Sequence, residues 1–187
     1  MKSIRSRLLA LASRRRLTAQ SLAVVPVALL LLTAGVTSVA AKGQERPVPF
    51  RAVYSAIQVV TVDPLRCPAL TVQAEGGGQA THVGAFTSVQ SHCIDPEGSD
   101  PLSFTDGFYT FTAANGDTIF GSYSGHLIPT ETPGVFGLDG HFTIAGGTGR
   151  FEDASGDGSA SGLVNLVTGE ASVFLQGTIS SVGSSKL

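Results

Sequence analysis

Basic residues are scarce where a polyanion would need them. Of the 12 lysines and arginines in the 187-residue chain, six fall within residues 1–41, which hold none of the 14 acids. Residues 42–187 therefore carry six basic against 14 acidic side chains, a net charge of −8. Affinity for nucleic acid is built from Lys and Arg contacts that release counterions, so phosphate backbones repel this surface. No basic patch with interleaved aromatics offsets it, and nucleic acid is excluded as a partner. Catalytic signatures are missing too. There is no G-x-S-x-G elbow, and no Ser, His and Asp spacing suggests a triad. After residue 49 no stretch keeps a helical period for more than one turn, which leaves an all-β pattern.

Cysteine is limited to Cys67 and Cys93. An even count outside the cytoplasm reads as a disulfide. The competing reading is a metal site using His92, which adjoins Cys93. Neighbours on a strand point to opposite faces, which works against one ion held by both. His126 and His141 fall on neighbouring expected strands, but two nitrogens do not make a zinc site. No metal and no cofactor is expected.

The N-terminus is organised as an export leader. Lys2, Arg5, Arg7 and Arg14 to Arg16 form a positive segment, and Leu22 to Gly35 is an apolar run of 14 residues. Ser38-Val-Ala-Ala41 then supplies small residues for cleavage. The apolar run is short for a bilayer span of roughly 20 residues, and Pro26 weakens it further, although an uncleaved anchor is the alternative. Ser13-Arg-Arg-Arg-Leu17 partly matches a twin-arginine signal, so export through either the general secretory or the twin-arginine route is expected. The terminal Ser185-Lys186-Leu187 resembles a peroxisomal address, which an N-terminal export signal pre-empts. The expected organisation is a signal peptide 1–41, a polar linker 42–48, a β-domain 49–182 and a polar tail 183–187. The mature protein is expected to be secreted or periplasmic, with no stable membrane span after cleavage.

Eight strands are expected, at 51–62, 69–75, 79–91, 102–113, 118–128, 135–145, 158–166 and 171–180. Asn115-Gly116 is a strong hairpin signal, because both positions tolerate positive φ. Thr168-Gly169 joins the last pair, Gly76 to Gly78 the second and third strands, and Asp95 to Pro101 reads as an exposed, mobile loop. Several strands look apolar on both faces. A barrel uses one such face for its interior, and without helices the other is naturally covered by a second copy of the chain.

Thr143-Ile-Ala-Gly-Gly-Thr-Gly-Arg-Phe151 runs from a strand into clustered glycines, as a dinucleotide loop does. Glu152 stands where the third glycine of G-x-G-x-x-G belongs, and no helix follows to hold a pyrophosphate. Gly146, Gly147 and Gly149 are therefore assigned to a structural turn, with Phe151 plugging one end of a barrel.

These residues resemble a family. Phe111-Thr-Ala-Ala-Asn-Gly-Asp117, Phe142 to Phe151 with GGTGRF, Ala154-x-Gly156 and Leu175-Gln-Gly-Thr-Ile179 look like the allene oxide cyclase and dirigent superfamily. Ala80-Thr-His-Val-Gly84 and GGTGRF are most similar to small exported bacterial members, and the resemblance spans roughly residues 49–181. It implies an eight-stranded antiparallel β-barrel, often trimeric, with a ligand cavity along its axis. It also implies activities of two kinds: closing an unstable fatty-acid epoxide, or holding phenoxy radicals or quinone methides so that coupling is stereoselective. No catalytic residue of the family carries over to a matching position here.

Three roles follow as expectations. The barrel binds a small apolar or aromatic molecule; it steers a cyclisation or coupling by confinement, as an allene-oxide-cyclase-like isomerase would; or it is a non-catalytic structural exported protein. The ligand-binding candidates are His82, Phe86, Asp106, Phe111 and Tyr123. His82 reads as a cavity acid–base or as a histidine bonded within the barrel wall. Asp106 reads as a cavity group or as the flank of a bulge at Gly107. Asp117 reads as turn chemistry, and Arg150 as a carboxylate holder at the barrel mouth or as a partner of Glu152 or Asp153.

Overall fold

The computed structural model describes residues 46–180. The expected leader, most of the linker and the polar tail lie outside the described residues. Eight strands form one closed antiparallel barrel: β1 (Val48–Thr61), β2 (Leu70–Ala80), β3 (Gly84–Ile94), β4 (Ser103–Ala113), β5 (Thr118–Pro129), β6 (Val135–Gly147), β7 (Ser155–Asn165) and β8 (Glu170–Ser180). Each pairs with the next, and β8 returns to β1 with Val48 opposite Ile179 and Ile57 opposite Glu170. Closure leaves none of the eight described strands as a sheet edge. The eight-stranded all-β barrel expected from the sequence is the fold observed.

Strand alternation decides the interior. Phe50, Ala52, Tyr54 and Ala56 of β1 face inward, as do Phe142 and Ile144 of β6 and Val173, Leu175 and Ile179 of β8. Aromatic packing fills the middle: Phe86 stacks on Phe111 at 4.3 Å between ring centroids, and Tyr54 meets both edge-on. One end of the barrel is sealed. The short 3-10 turn Gly149–Phe151 follows β6 there, and Phe151 is fully buried beside the ends of β5 and β6. Gly149 has φ +58°, and a side chain at that position would run into the Asp117 carboxylate. The glycine cluster thus serves the backbone of the sealed end.

Two expectations about the hairpin between β2 and β3 need correction. Gly76 to Gly78 do not form its turn; they lie inside β2, opposite Ala56, Ser55 and Tyr54 of β1. A Cβ at Gly76 or Gly78 would overlap the carbonyl oxygens of Ser55 and Val53, so close approach of two strands, not a turn, requires glycine here. The turn falls at Thr81 to Val83, which removes His82 from the strand expected at 79–91 and starts β3 at Gly84. His82 adopts φ +67° in this turn.

β4 carries a bulge. Against β5, Phe104 pairs with Gly125 and Gly107 with Tyr123, so three steps on β4 match two on its neighbour. Asp106 sits in the extra length with φ +51°. The bulge reverses the strand phase: Phe104 points in, whereas Phe108 is 60 % exposed on the outer wall. Arg66 holds the bulge from outside, donating to the Asp106 carbonyl, to Cys93 Sγ at 3.1 Å and to the Ser91 carbonyl at 3.5 Å. Its guanidinium also lies 5.2 Å from the centre of the Phe108 ring. Cys67 and Cys93 form a disulfide with Cα atoms 5.4 Å apart, tying the segment before β2 to β3.

Candidate functional site

The half of the barrel opposite Phe151 is hollow. A cavity of about 220 Å³ extends from Phe111 and Tyr54 in the middle toward the end where β3 runs into β4. Pro96, Pro101 and Leu102 of the connecting loop form part of its rim. The two sides differ in chemistry. From β6, β7 and β8 come Leu138, Phe142, Val164, Val173 and Leu175, flanked by the small Ala160 and Ala171. From β1, β3, β4 and β5 come Tyr54, Gln90, His92, Tyr109 and Tyr123, which include all three tyrosines of the chain.

The polar side is organised by hydrogen bonds between its own members. His92 Nδ1 lies 2.8 Å from Tyr123 Oη, and the Tyr54 hydroxyl donates to Gln90 Oε1 at 3.3 Å. Gln90 Nε2 in turn donates to Ser88 Oγ at 3.4 Å. The Tyr109 hydroxyl donates to the Thr143 carbonyl at 2.9 Å. Ser88, Gln90 and His92 share one face of β3 because they are two residues apart.

Among the described residues, no Asp, Glu, Lys or Arg lines the cavity. Burial pushes His92 down to about 4, and the positive charge of Arg66 acts the same way. Burial pushes Tyr54 up to about 12, a rise that its bond to Gln90 partly offsets. Tyr109 and Tyr123 are likewise raised by burial, with a smaller contribution from Tyr54. At neutral pH the polar wall is therefore uncharged throughout: an imidazole, three phenols, the amides of Gln58 and Gln90, and the Ser103 hydroxyl. Such groups can accept and donate protons or hydrogen bonds, but they offer nothing to balance a bound carboxylate.

The residues expected to bind a ligand separate in space. Phe111 and Tyr123 line the cavity. Phe86 is buried behind Phe111 and is not part of the lining. His82 is exposed at the sealed end, with Nε2 3.1 Å from the Pro49 carbonyl. Asp106 is exposed on the outer side of the bulge. His82 lies in a turn at the end away from the cavity and Asp106 on the exposed side of the bulge, so neither lines the cavity. Asp117 bonds with Asn115 in its turn, and Arg150 lies 3.7 Å from Asp117 and donates to the Val83 carbonyl at 3.2 Å. His126 does not pair with His141; its Nε2 meets Asp100 Oδ2 at 2.8 Å in the exposed rim loop. Among the described residues, no group of three or more His, Cys, Asp or Glu is placed to hold a metal ion. No helix among them is long and apolar enough to cross a membrane.

Sequence reasoning missed Tyr54, Gln90 and Tyr109, and treated His92 only as a metal ligand. The available signal was the phase Phe86-x-Ser88-x-Gln90-x-His92, an aromatic followed by three polar side chains on one strand face. Pairing along β3 places that face inward, and the bulge in β4 places Tyr109 inward with it.

The architecture is a closed eight-stranded antiparallel barrel, sealed at one end and hollow toward the other. Among solved structures, the pterocarpan synthase dirigent protein PsPTS1 matches with a TM-score of 0.50 and 15% sequence identity, over 75% of this chain and 99% of that one. The pterocarpan synthase dirigent protein GePTS1 aligns over 82% of this chain and 99% of its own, at 15% identity and a TM-score of 0.49. At 15% identity the PsPTS1 match bears on the fold alone. No protein-family model matches the sequence, and no curated protein matches it.

Proposed function

We propose that the barrel binds a small, uncharged, largely apolar or aromatic molecule in its open half. The observation that carries this reading is the cavity itself: it has an apolar side, a hydrogen-bonded polar side and, among the described residues, no Asp, Glu, Lys or Arg in its lining. A site of this kind takes its affinity from apolar burial and its orientation from a few fixed polar groups. A matched set of probes tests it by calorimetry: indane, 2-indanone and indane-2-carboxylate. The two neutral probes are expected to bind saturably and the anion at least tenfold more weakly. Equal affinity for the anion, or no heat from any of the three, overturns the reading.

A second reading, that the barrel steers a cyclisation or coupling of its ligand, is favoured by the His92–Tyr123 contact at 2.8 Å. Confinement against a pair able to move protons is the means such a protein needs. The test is whether binding and product stereochemistry change together in a Tyr123→Phe protein.

Two further properties belong to this proposal. The protein acts after export, with residues 1–41 removed, and the Cys67–Cys93 disulfide supports an oxidising compartment. Copies of the chain associate, as a trimer, through the outer wall of β1, β8 and β7. Val53 and Phe174 face each other there across the β1–β8 pairing, Leu163 follows on β7, and all three are exposed. Intact mass of exported protein tests the first, and retention of residues 1–41 refutes it.

A further inference from the structure

Resting on the cavity as a ligand site, we propose that His92 and Tyr123 form a neutral proton relay that interconverts the keto and enol forms of small, uncharged, enolisable ketones. The geometry is a direct contact between two groups that can each give and take a proton. Nδ1 of His92 lies 2.8 Å from Tyr123 Oη, and both side chains line the cavity. That contact engages Nδ1 and leaves Nε2, on the opposite side of the ring, as the nitrogen to meet a ligand. The imidazole is held in place from several sides. Tyr123 approaches it edge-on at 5.6 Å between centroids, Phe104 packs at 5.3 Å, and the neighbouring Cys93 is fixed by the disulfide.

A relay suits this environment better than a single proton transfer. Moving one proton onto His92, or off Tyr123, would leave an uncompensated charge against an apolar wall. Burial disfavours both ions, lowering the histidine and raising the tyrosine. Passing a proton in at one end while another leaves at the other avoids any net charge.

In the starting tautomer, the His92 Nδ1–H donates to Tyr123 Oη, and the phenol O–H donates to the ketone oxygen. The Nε2 lone pair takes a proton from the carbon beside the carbonyl, and the C–H electron pair becomes the new C=C bond. The carbonyl π pair moves onto oxygen, which receives the phenol proton, while the Nδ1 proton passes to Oη. The ketone becomes an enol, the phenol is restored, and His92 ends with its proton on Nε2. No atom is gained or lost, and no co-reactant is needed. Exchange of the Nε2 proton with solvent before the reverse step leaves a solvent hydrogen on the carbon.

The experiment follows hydrogen–deuterium exchange at C1 and C3 of 2-indanone by proton NMR in D2O, with the mature protein at neutral pD. Binding of the ketone is measured in the same sample by saturation transfer. The expected result is exchange at least tenfold above buffer, suppressed by indane as competitor and reduced at least tenfold in Tyr123→Phe, which removes one hydroxyl. His92→Phe is expected to do the same. If either variant fails to fold, suppression by indane in the natural protein decides. Ketone that binds but exchanges at the buffer rate overturns the relay and leaves the binding reading standing. Failure of both 2-indanone and indane to bind overturns both. Exchange that persists in folded Tyr123→Phe, or in the presence of saturating indane, also overturns the relay.

Discussion

Acidification should destabilise the barrel through His92 in a way that a single substitution isolates. An unfolded histidine titrates near 6.5, whereas burial and the nearby Arg66 charge hold folded His92 to about 4. For a base with a lowered folded pKa, the unfolded chain binds the proton first. Stability is therefore fully present above the unfolded value and is lost progressively as pH falls from about 6.5 to about 4. The gap is worth about 3 kcal/mol, at roughly 1.4 kcal/mol for each factor of ten. The other titrating neighbours on the packed elements are Tyr123 from β5 and Tyr109 from β4, which stay neutral over this range. Carboxylates elsewhere also titrate, so the informative quantity is a difference between two proteins. Urea unfolding of the natural protein and of His92→Gln would be compared at pH 7 and pH 4. Between those values the natural protein should lose about 3 kcal/mol more than the variant. Equal losses in the two proteins would refute the placement of an uncharged histidine in the cavity wall.

Replacing both Cys67 and Cys93 by alanine opens a link 26 residues long and should lower stability by about 3.5 kcal/mol in the chain-entropy description; unfolding curves that coincide with the natural protein would contradict this. Gly149→Val forces a β-branched residue onto φ +58° against Asp117 and should cost about 1–3 kcal/mol. Calorimetry with ATP and NAD should show no saturable heat in either form of the protein, and a nucleotide signal abolished in an equally stable Gly149→Val protein would overturn the turn assignment. Light scattering of the mature domain should give a trimer, and Phe174→Asp should dissociate it; a monomer at all concentrations would remove the outer-wall interface.

The fold was legible because alternation and turn chemistry agree along most of the chain. The Asn115-Gly116 hairpin follows from turn chemistry, and the inward Phe142 and Ile144 and the set Val173, Leu175 and Ile179 follow from period two. The GGTGRF resemblance holds at the level of the fold. Alternation failed where the backbone departs from it. The β4 bulge adds a residue and exchanges the faces of the strand, so Asp106 and Phe108, which share a phase with Phe104 in the sequence, emerge on the outer wall. Gly76 to Gly78 resemble a turn, but the close approach of β1 at Gly76 and Gly78, and of β3 at Gly77, that requires them comes from strand pairing. The site was harder to read because its polar groups come from β1, β3, β4 and β5, and only barrel closure brings them around one space. Tyr123 and Phe111, two of the candidates read from the sequence, line the cavity, but their strand faces are set by pairing between distant segments. His92 was obscured by the adjacent cysteine, which suggested metal chemistry when its part is to anchor the strand.

A small neutral molecule is proposed to bind in the open half of the barrel and not on its apolar outer wall. Methyl NMR of the mature protein titrated with 2-indanone tests this most directly. Saturable shifts are expected in the inward methyls of Val72, Val164, Val173 and Leu175, with the outward methyls of Val53, Val89 and Leu163 unmoved. Saturable shifts confined to the outward set, or no shift in the inward set at millimolar ketone, would contradict it.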